Sequence, residues 1–263
     1  MSTLSYAVTD SATMLRRQLR HMLRYPSMTL MLAGLPIVLL LLFVYVFGGT
    51  LGAGLGGFSG GRAEYVDYVT PGIMLITVAS AAQGTAISVA MDMTEGIIAR
   101  FRTMAIARVS VLTGHVLGSM IQTMLSLALV SAVALLIGFR PTADPAEWIA
   151  ATGVVALTTF ALTWLSVALG MVSKSVETAS NLPMPLLLLP FLGSGFVPTD
   201  SMPTGMRWFA ENQPFTPIME TLRGLLMGSP IGNSGILAVA WCAGIGLAGY
   251  LWAKRLYNRD PTP

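Results

Sequence analysis

Few side chains in this sequence are equipped for covalent chemistry. Of 263 residues, 10% are Asp, Glu, Lys or Arg, two are His and one is Cys. His21, His115 and Cys242 stand far apart in the chain, so no spacing suggests a metal site. Lys174 and Lys254, the only lysines, follow no glycine-rich loop, which excludes a Walker-type phosphate cradle. The metalloprotease spacing H-E-x-x-H is absent too. What remains is the chemistry of charge and hydrogen bonding, concentrated in three places. The first is 91–108, MDMTEGIIARFRTMAIAR, a charged stretch between two long apolar runs. Asp92 and Glu95 have the spacing of a capping box. Ile97, Ile98, Phe101, Met104 and Ala105 then form one apolar stripe at helical spacing, with Glu95, Arg100 and Arg102 off it. Such a helix is either a handle for a second protein or an interfacial helix floating on lipid headgroups, its arginines setting topology.

The second place is the apolar run 176–197, interrupted by Pro183, Pro185 and Pro190 and followed through by Gly193 and Gly195. Each proline removes a backbone donor. A broken helix at membrane depth is tolerated where protein or a water-filled cavity satisfies the freed carbonyls. The run therefore reads as a pathway-lining helix or, with equal weight, as a kinked packing helix. The third place is 198–234, too polar for a plain span and too apolar for a plain loop. Thr216-Pro217 predicts an N-cap and first-turn proline for a helix that runs to about Met227 and stops at Gly228. Glu220 and Arg223, three apart on it, are spaced to pair.

The elements that must position these residues are membrane spans. The chain is 54% hydrophobic with a mean hydropathy of +0.71, whereas soluble domains carry roughly 25% charged residues. Several apolar runs reach the ~20 residues that cross a bilayer, and they are continuous rather than alternating, which favours helices over a barrel. The expected spans are 28–47, 69–91, 111–137, 149–172, 176–197 and 236–253. Residues 1–26 are expected as an amphipathic interfacial helix, with Leu15, Leu19 and Leu23 on one face and Arg16, Arg20 and Arg24 on another. Residues 92–110 form a polar loop and 198–234 a re-entrant segment, all within one transmembrane domain. No cleavable signal peptide is expected, because the first apolar run follows a long basic tail. Gln83, in the second span, is a pathway candidate or the donor of an interhelical hydrogen bond. Ala82, Ala86 and Ala90, and again Ala240, Gly244 and Ala248, predict small-residue packing faces.

Charge gives the orientation. Eleven Lys and Arg fall on the side of both termini and the 92–110 loop, against four (Arg62, Arg140, Arg207, Arg223) on the other. The positive-inside rule therefore puts both termini and that loop in the cytoplasm and 198–234 outside. The net charge of +3 then reports topology and anionic lipid rather than nucleic acid. The spans as drawn hold almost no ionisable residue, which argues against an ion-coupled secondary transporter. A non-transporting scaffold or sensor is the other alternative. Any uphill transport would need energy from another polypeptide.

The stretches MDMTEGIIARFRTMAIAR and VLTGHVLG, then LLIGFRPTADPAEWIA and SGFVPTDSMPTGMRWFAENQPFTPIMETLRGLLMG, resemble in order and spacing the membrane subunit of ABC-2 type transporters. Among these the chain looks like the daunorubicin-resistance (DrrB-like) permeases. The resemblance implies an all-α integral membrane fold of the ABC-2, type V exporter kind: six transmembrane helices, an N-terminal amphipathic helix, a cytoplasmic coupling helix and an external re-entrant hairpin. It implies a non-catalytic permease subunit of an ATP-driven exporter of an amphiphilic drug or lipid-like compound. The expected setting is the bacterial cytoplasmic membrane. The implied partners are two copies of an ATP-binding subunit, which would hold the ATP and Mg, and a second permease subunit as homodimer or heterodimer. No cofactor or metal is expected on this chain itself. By the same resemblance, Glu95, Arg100, Phe101 and Arg102 would face the ATPase. The second and fifth spans would line the pathway, and Asn212, Pro214, Glu220 and Arg223 would belong to the external hairpin.

Overall fold

The computed structural model describes residues 16, 20, 24, 26–50, 61–95 and 108–258. They form nine α-helices: α1 (Pro26–Leu42), α2 (Arg62–Thr94), α3 (Arg108–Ile137), α4 (Pro145–Val172), α5 (Val176–Asn181), α6 (Met184–Leu188), α7 (Thr204–Asn212), α8 (Phe215–Met227) and α9 (Ser234–Asn258). A π-helical turn, Phe43–Phe47, extends α1, and a 3-10 turn, Thr199–Ser201, precedes α7. No strand occurs among the described residues. Five helical stretches are long and apolar enough to cross a membrane: Thr29–Thr50, Arg62–Thr94, Leu112–Ile137, Pro145–Val172 and Ser234–Asn258. The described residues are helices and their connecting turns, and the chain is a multi-pass membrane protein. Met31, Leu136 and Ile236, each three-quarters exposed or more, would be a liability in water and are at home against hydrocarbon.

The bundle is built around α2. In its most apolar window 78% of residues are buried by protein, against 22% for the first span and 28% for α3 and α9. It packs most extensively on α4, and α4 in turn on α9. These contacts are close because small residues meet there. A Cβ on Gly170 of α4 would lie 2.5 Å from the Ala86 carbonyl oxygen of α2. One on Gly249 of α9 would lie 2.5 Å from the Leu165 backbone nitrogen of α4. Ala82, Ala86 and Ala90 are all buried, in keeping with their spacing. The second predicted stripe is displaced. Ala240, Gly244 and Ala248 are exposed, and the line of α9 that packs is Ala238, Cys242, Gly246, Gly249 and Ala253. The helix carries small residues on two faces, and the ridge of α4 selects the one with glycines at 246 and 249.

Two other expectations are corrected. Asp92 and Glu95 do not open a helix: α2 runs on through Thr94, and Glu95 is its C-cap, its N–H donating to the Met91 carbonyl at 2.9 Å. A capping box of the same spacing forms instead at Asp144 and Glu147. The Glu147 N–H donates to Asp144 Oδ1 at 2.7 Å and the Asp144 N–H to Glu147 Oε2 at 2.8 Å, with Pro145 in the first turn of α4. The run 176–197 is not one helix either. It forms α5 and α6, then irregular turns through 189–196, so five continuous spans stand where six apolar runs were counted. Of the N-terminal segment only Arg16, Arg20 and Arg24 are described, all helical and exposed. Residues 51–60 and 96–107 lie outside the described residues.

Candidate functional site

The prolines of 176–197 act as the chemistry of proline requires. Pro183 separates α5 from α6, Pro185 enters the first turn of α6, and Pro190 is the second residue of the turns that begin at Leu189. The irregular backbone then presents carbonyls inside a helical bundle, and side chains from α2, α8 and the turn before α8 meet four of them. Gln83 Nε2 donates to the Ser180 carbonyl at 2.6 Å. Gln213 Nε2 donates to the Leu189 carbonyl at 3.2 Å. Arg223 Nη2 donates to the Ser194 carbonyl at 2.8 Å. The Tyr65 hydroxyl reaches the Phe196 carbonyl at 3.4 Å, a long bond. Protein therefore satisfies these carbonyls, as a broken helix inside a bilayer would require. We call this set the collar.

Packing makes the collar tight. A Cβ on Gly72 of α2 would lie 2.8 Å from the Gly195 carbonyl oxygen. One on Gly195 would lie 2.8 Å from the Met219 sulfur of α8, and one on Gly193 would meet the Gln213 amide. Of the residues expected to line a pathway, Pro183, Pro190, Gly193 and Gly195 are buried in protein, Gln83 is half-buried and Pro185 is exposed.

The helix α8 forms the other wall. Phe215, Ile218, Met219, Leu222 and Leu226 are all buried, and it ends at Gly228, whose φ of +70° provides the left-handed C-terminal turn. The Thr142 N–H caps the Leu226 carbonyl at 3.0 Å. At the other end Thr216 is not the N-cap. Pro214 holds that position, and the Thr216 hydroxyl donates back to the Ala210 carbonyl at 2.5 Å. The capping work falls to the buried Gln213, whose Oε1 accepts the Phe215 N–H at 3.2 Å while Nε2 also reaches Thr216 Oγ1 at 3.1 Å. Asn212 is exposed and donates to the Trp208 carbonyl at 2.7 Å.

Glu220 and Arg223 do not pair. Ser234 donates to Glu220 Oε2 at 2.7 Å, joining α8 to the start of α9. Arg223 points the other way, its guanidinium 3.9 Å from the centroid of the Tyr68 ring and Nη2 3.3 Å from the Tyr68 carbonyl. Backbone carbonyls and an aromatic face at close range outcompete a carboxylate that has found a hydroxyl. Sequence reasoning missed Gln213, Tyr65 and Tyr68. The available signal was a polar or amphipathic residue next to a proline turn or in the outer turns of a span.

At the opposite end of α2, Asp92 Oδ2 lies 2.9 Å from His115 Nε2 of α3. Glu95 is exposed one turn beyond. Arg100, Phe101 and Arg102 lie outside the described residues.

The profile of the ABC-2 type transporter family matches residues 10–227, which take in α1 to α8 and therefore the whole collar. The chain belongs to that family. A daunorubicin resistance ABC transporter permease protein, DrrB1, of Streptomyces coeruleorubidus is 28% identical to the ABC-2 chain over 224 residues, 85% of this chain and 77% of that protein. A probable doxorubicin resistance ABC transporter permease protein, DrrC, of Mycobacterium tuberculosis is 25% identical over 179 residues, 66% of this chain and 64% of that protein. The ABC-2 chain is thus a transmembrane permease subunit of an ABC exporter. A metal-binding cluster of His, Cys, Asp or Glu does not occur among the described residues.

Proposed function

We propose that this permease exports an amphiphilic drug or lipid-like compound from the cytoplasm or inner leaflet, driven by two copies of a separate ATP-binding subunit that hold ATP and Mg. A second permease subunit completes the pathway. The chain sits in a bacterial cytoplasmic membrane with both termini inside. The loop through which the ATPase acts, expected at 92–110, is narrowed by the ends of α2 at Thr94 and α3 at Arg108 to 95–107, with Glu95, Arg100, Phe101 and Arg102 facing the ATPase. The family match over 10–227 carries this reading, and the drug-resistance names of the two relatives support the substrate class.

The collar gives the reading a physical shape. Most of it (Tyr65, Gly72 and the Arg223 contacts) lies toward the end of α2 away from the 95–107 loop, while the Gln83–Ser180 bond sits nearer that loop. It is formed by a broken segment rather than a rigid span, so α5, α6 and the following turns are the part of the bundle able to shift without unfolding a helix. The helix α7 supports an interfacial position for the hairpin. Trp208 is 69% exposed, and Arg207 is held between Asp200 at 2.6 Å and Glu211 at 2.8 Å, a polar rim under an aromatic anchor. The test is co-purification of the permease with its ATP-binding subunit. Arg100→Glu and Glu95→Arg are expected to abolish assembly or ATP-coupled export. Variants that assemble and export normally would remove the coupling role from this loop.

A further inference from the structure

We propose that Asp92 and His115 form a latch across the mouth of the 96–107 loop, and that displacement of the collar by ATP requires the latch to be closed. The inference rests on the reading of that loop as the ATPase contact.

Asp92 lies in the last turn of α2 and His115 lies two turns into α3, so the pair joins the two helices where the chain leaves the bundle. The contact is 2.9 Å between Oδ2 and Nε2, and the side chains are only 14% and 11% exposed. Partial burial makes such a charge-assisted bond short, directional and hard for water to replace. Nε2 donates whether the imidazole is neutral in that tautomer or protonated. Deeper along the same seam, Thr85 Oγ1 and Ser119 Oγ meet at 2.6 Å, a second polar link between α2 and α3. Between the two links Val89 and Val116 are buried with Trp164 and Val167 of α4 and Ala253 of α9. At this end the two helices are fastened to each other and to the bundle.

The reach of α2 gives the latch its consequence. The same continuous helix carries Asp92 at one end and Tyr65, Tyr68 and Gly72 of the collar at the other. From Tyr68 to Asp92 is 24 residues, about 36 Å at the rise of an α-helix. A force applied to the loop reaches the collar along α2 only if α2 and α3 take it up together. With the latch open, the last turn of α2 beyond the Val89–Val116 packing can move apart from α3 without moving the rest of the rod.

The experiment uses the assembled complex with its ATP-binding subunit in lipid nanodiscs, in a Cys242→Ala background. Spin labels at Ala63→Cys and Leu188→Cys, both exposed positions, read the distance between the outer end of α2 and the broken segment of the collar with and without ATP. For the latch, Asp92→Ala and His115→Ala are each expected to co-purify with the ATPase but to cut the ATP-dependent shifted population about fivefold or more, the lower end of ordinary coupling between sites. The exchange Asp92→His with His115→Asp is expected to restore it. To keep the test independent of how the exchange folds, the same positions are also made cysteine in a parallel sample that carries fluorescent-protein reporters instead of thiol labels. There a thiol-cleavable bridging reagent closes the latch and dithiothreitol reopens it, so one folded sample reports both states. Equal ATP responses of bridged and reduced protein, or normal responses of the two alanine variants, overturn the latch. A parent complex whose collar does not respond to ATP overturns it as well. Normal assembly and response in Arg100→Glu would instead fault the loop reading, and the two failures are read on different variants.

Discussion

Arg223 is the residue on which the collar depends most, and Arg223→Met isolates its contribution. The substitution keeps the aliphatic stem and removes the guanidinium. It deletes the 2.8 Å bond to the Ser194 carbonyl, the weaker 3.3 Å bond to the Tyr68 carbonyl and the contact 3.9 Å above the Tyr68 ring. A bond from a charged donor contributes about 1.5–3 kcal/mol, and its loss leaves a buried carbonyl unsatisfied. A desolvated cation–π contact adds about 0.5–2 kcal/mol. Against these stands the cost of holding a guanidinium away from water with Nε unpartnered. The net expectation is a loss of about 2–3 kcal/mol. Arg223→Lys keeps a positive charge over the ring but cannot reach both carbonyls with a planar fork, so it should lose about half as much. The assay is reversible unfolding of the purified protein in mixed micelles, followed by tryptophan fluorescence. A double-mutant cycle with Tyr68→Leu should return a coupling of about 1 kcal/mol. If both Arg223 variants lie within about 0.5 kcal/mol of the parent, the guanidinium does not hold the broken segment and the collar is an accident of packing.

Three further outcomes follow from the same packing. Gly72→Ala sets a methyl against the Gly195 backbone, which cannot yield as a side chain would, and should lower stability by about 1–3 kcal/mol in the same unfolding assay. Gln213→Leu leaves the Phe215 N–H and the Leu189 carbonyl without their side-chain partner and should cost about 2 kcal/mol, whereas Asn212→Ala next to it should stay within about 0.5 kcal/mol. On α9, Gly249→Ala should reduce the yield of folded protein on size-exclusion chromatography, because its methyl would strike the backbone of α4. Gly244→Ala, with open space around it, should leave the yield unchanged.

Composition and residue spacing were enough to read the helical membrane class, the small-residue packing face Ala82, Ala86 and Ala90 of α2, and the stop of α8 at Gly228. The errors share one cause: a local pattern was read without its neighbours. The spacing D-x-x-E occurs at Asp92 and at Asp144. At Asp144 a proline follows and the preceding loop is not helical, so the box starts a helix. At Asp92 the helix has already run for thirty residues, and the carboxylate is free to find His115. The two small-residue faces of α9 differ only in which one another helix happens to meet. Arg223 followed the same logic. Spacing along one helix offered Glu220, while three-dimensional packing offered two carbonyls and a ring. The prolines of 176–197 correctly announced a broken segment, but its acceptors lie across the bundle from their donors, and no linear pattern joins Gln213 to Leu189 or Arg223 to Ser194.

The burial of α2 also bears on how the protein is made. Thr70, Thr77 and Thr85 donate to carbonyls one turn back in their own helix, so these hydroxyls are paired as soon as α2 leaves the ribosome and enters lipid. Gln83 has no such local arrangement. Its partner, the Ser180 carbonyl, lies 97 residues further along the chain. At ~5–20 residues per second the nascent span would wait about 5–20 s before the backbone that receives its amide has been synthesised. During that interval the amide has no Ser180 carbonyl to meet, and the packing of α2 on α3 and α4 is the part of its final surroundings whose residues are made first.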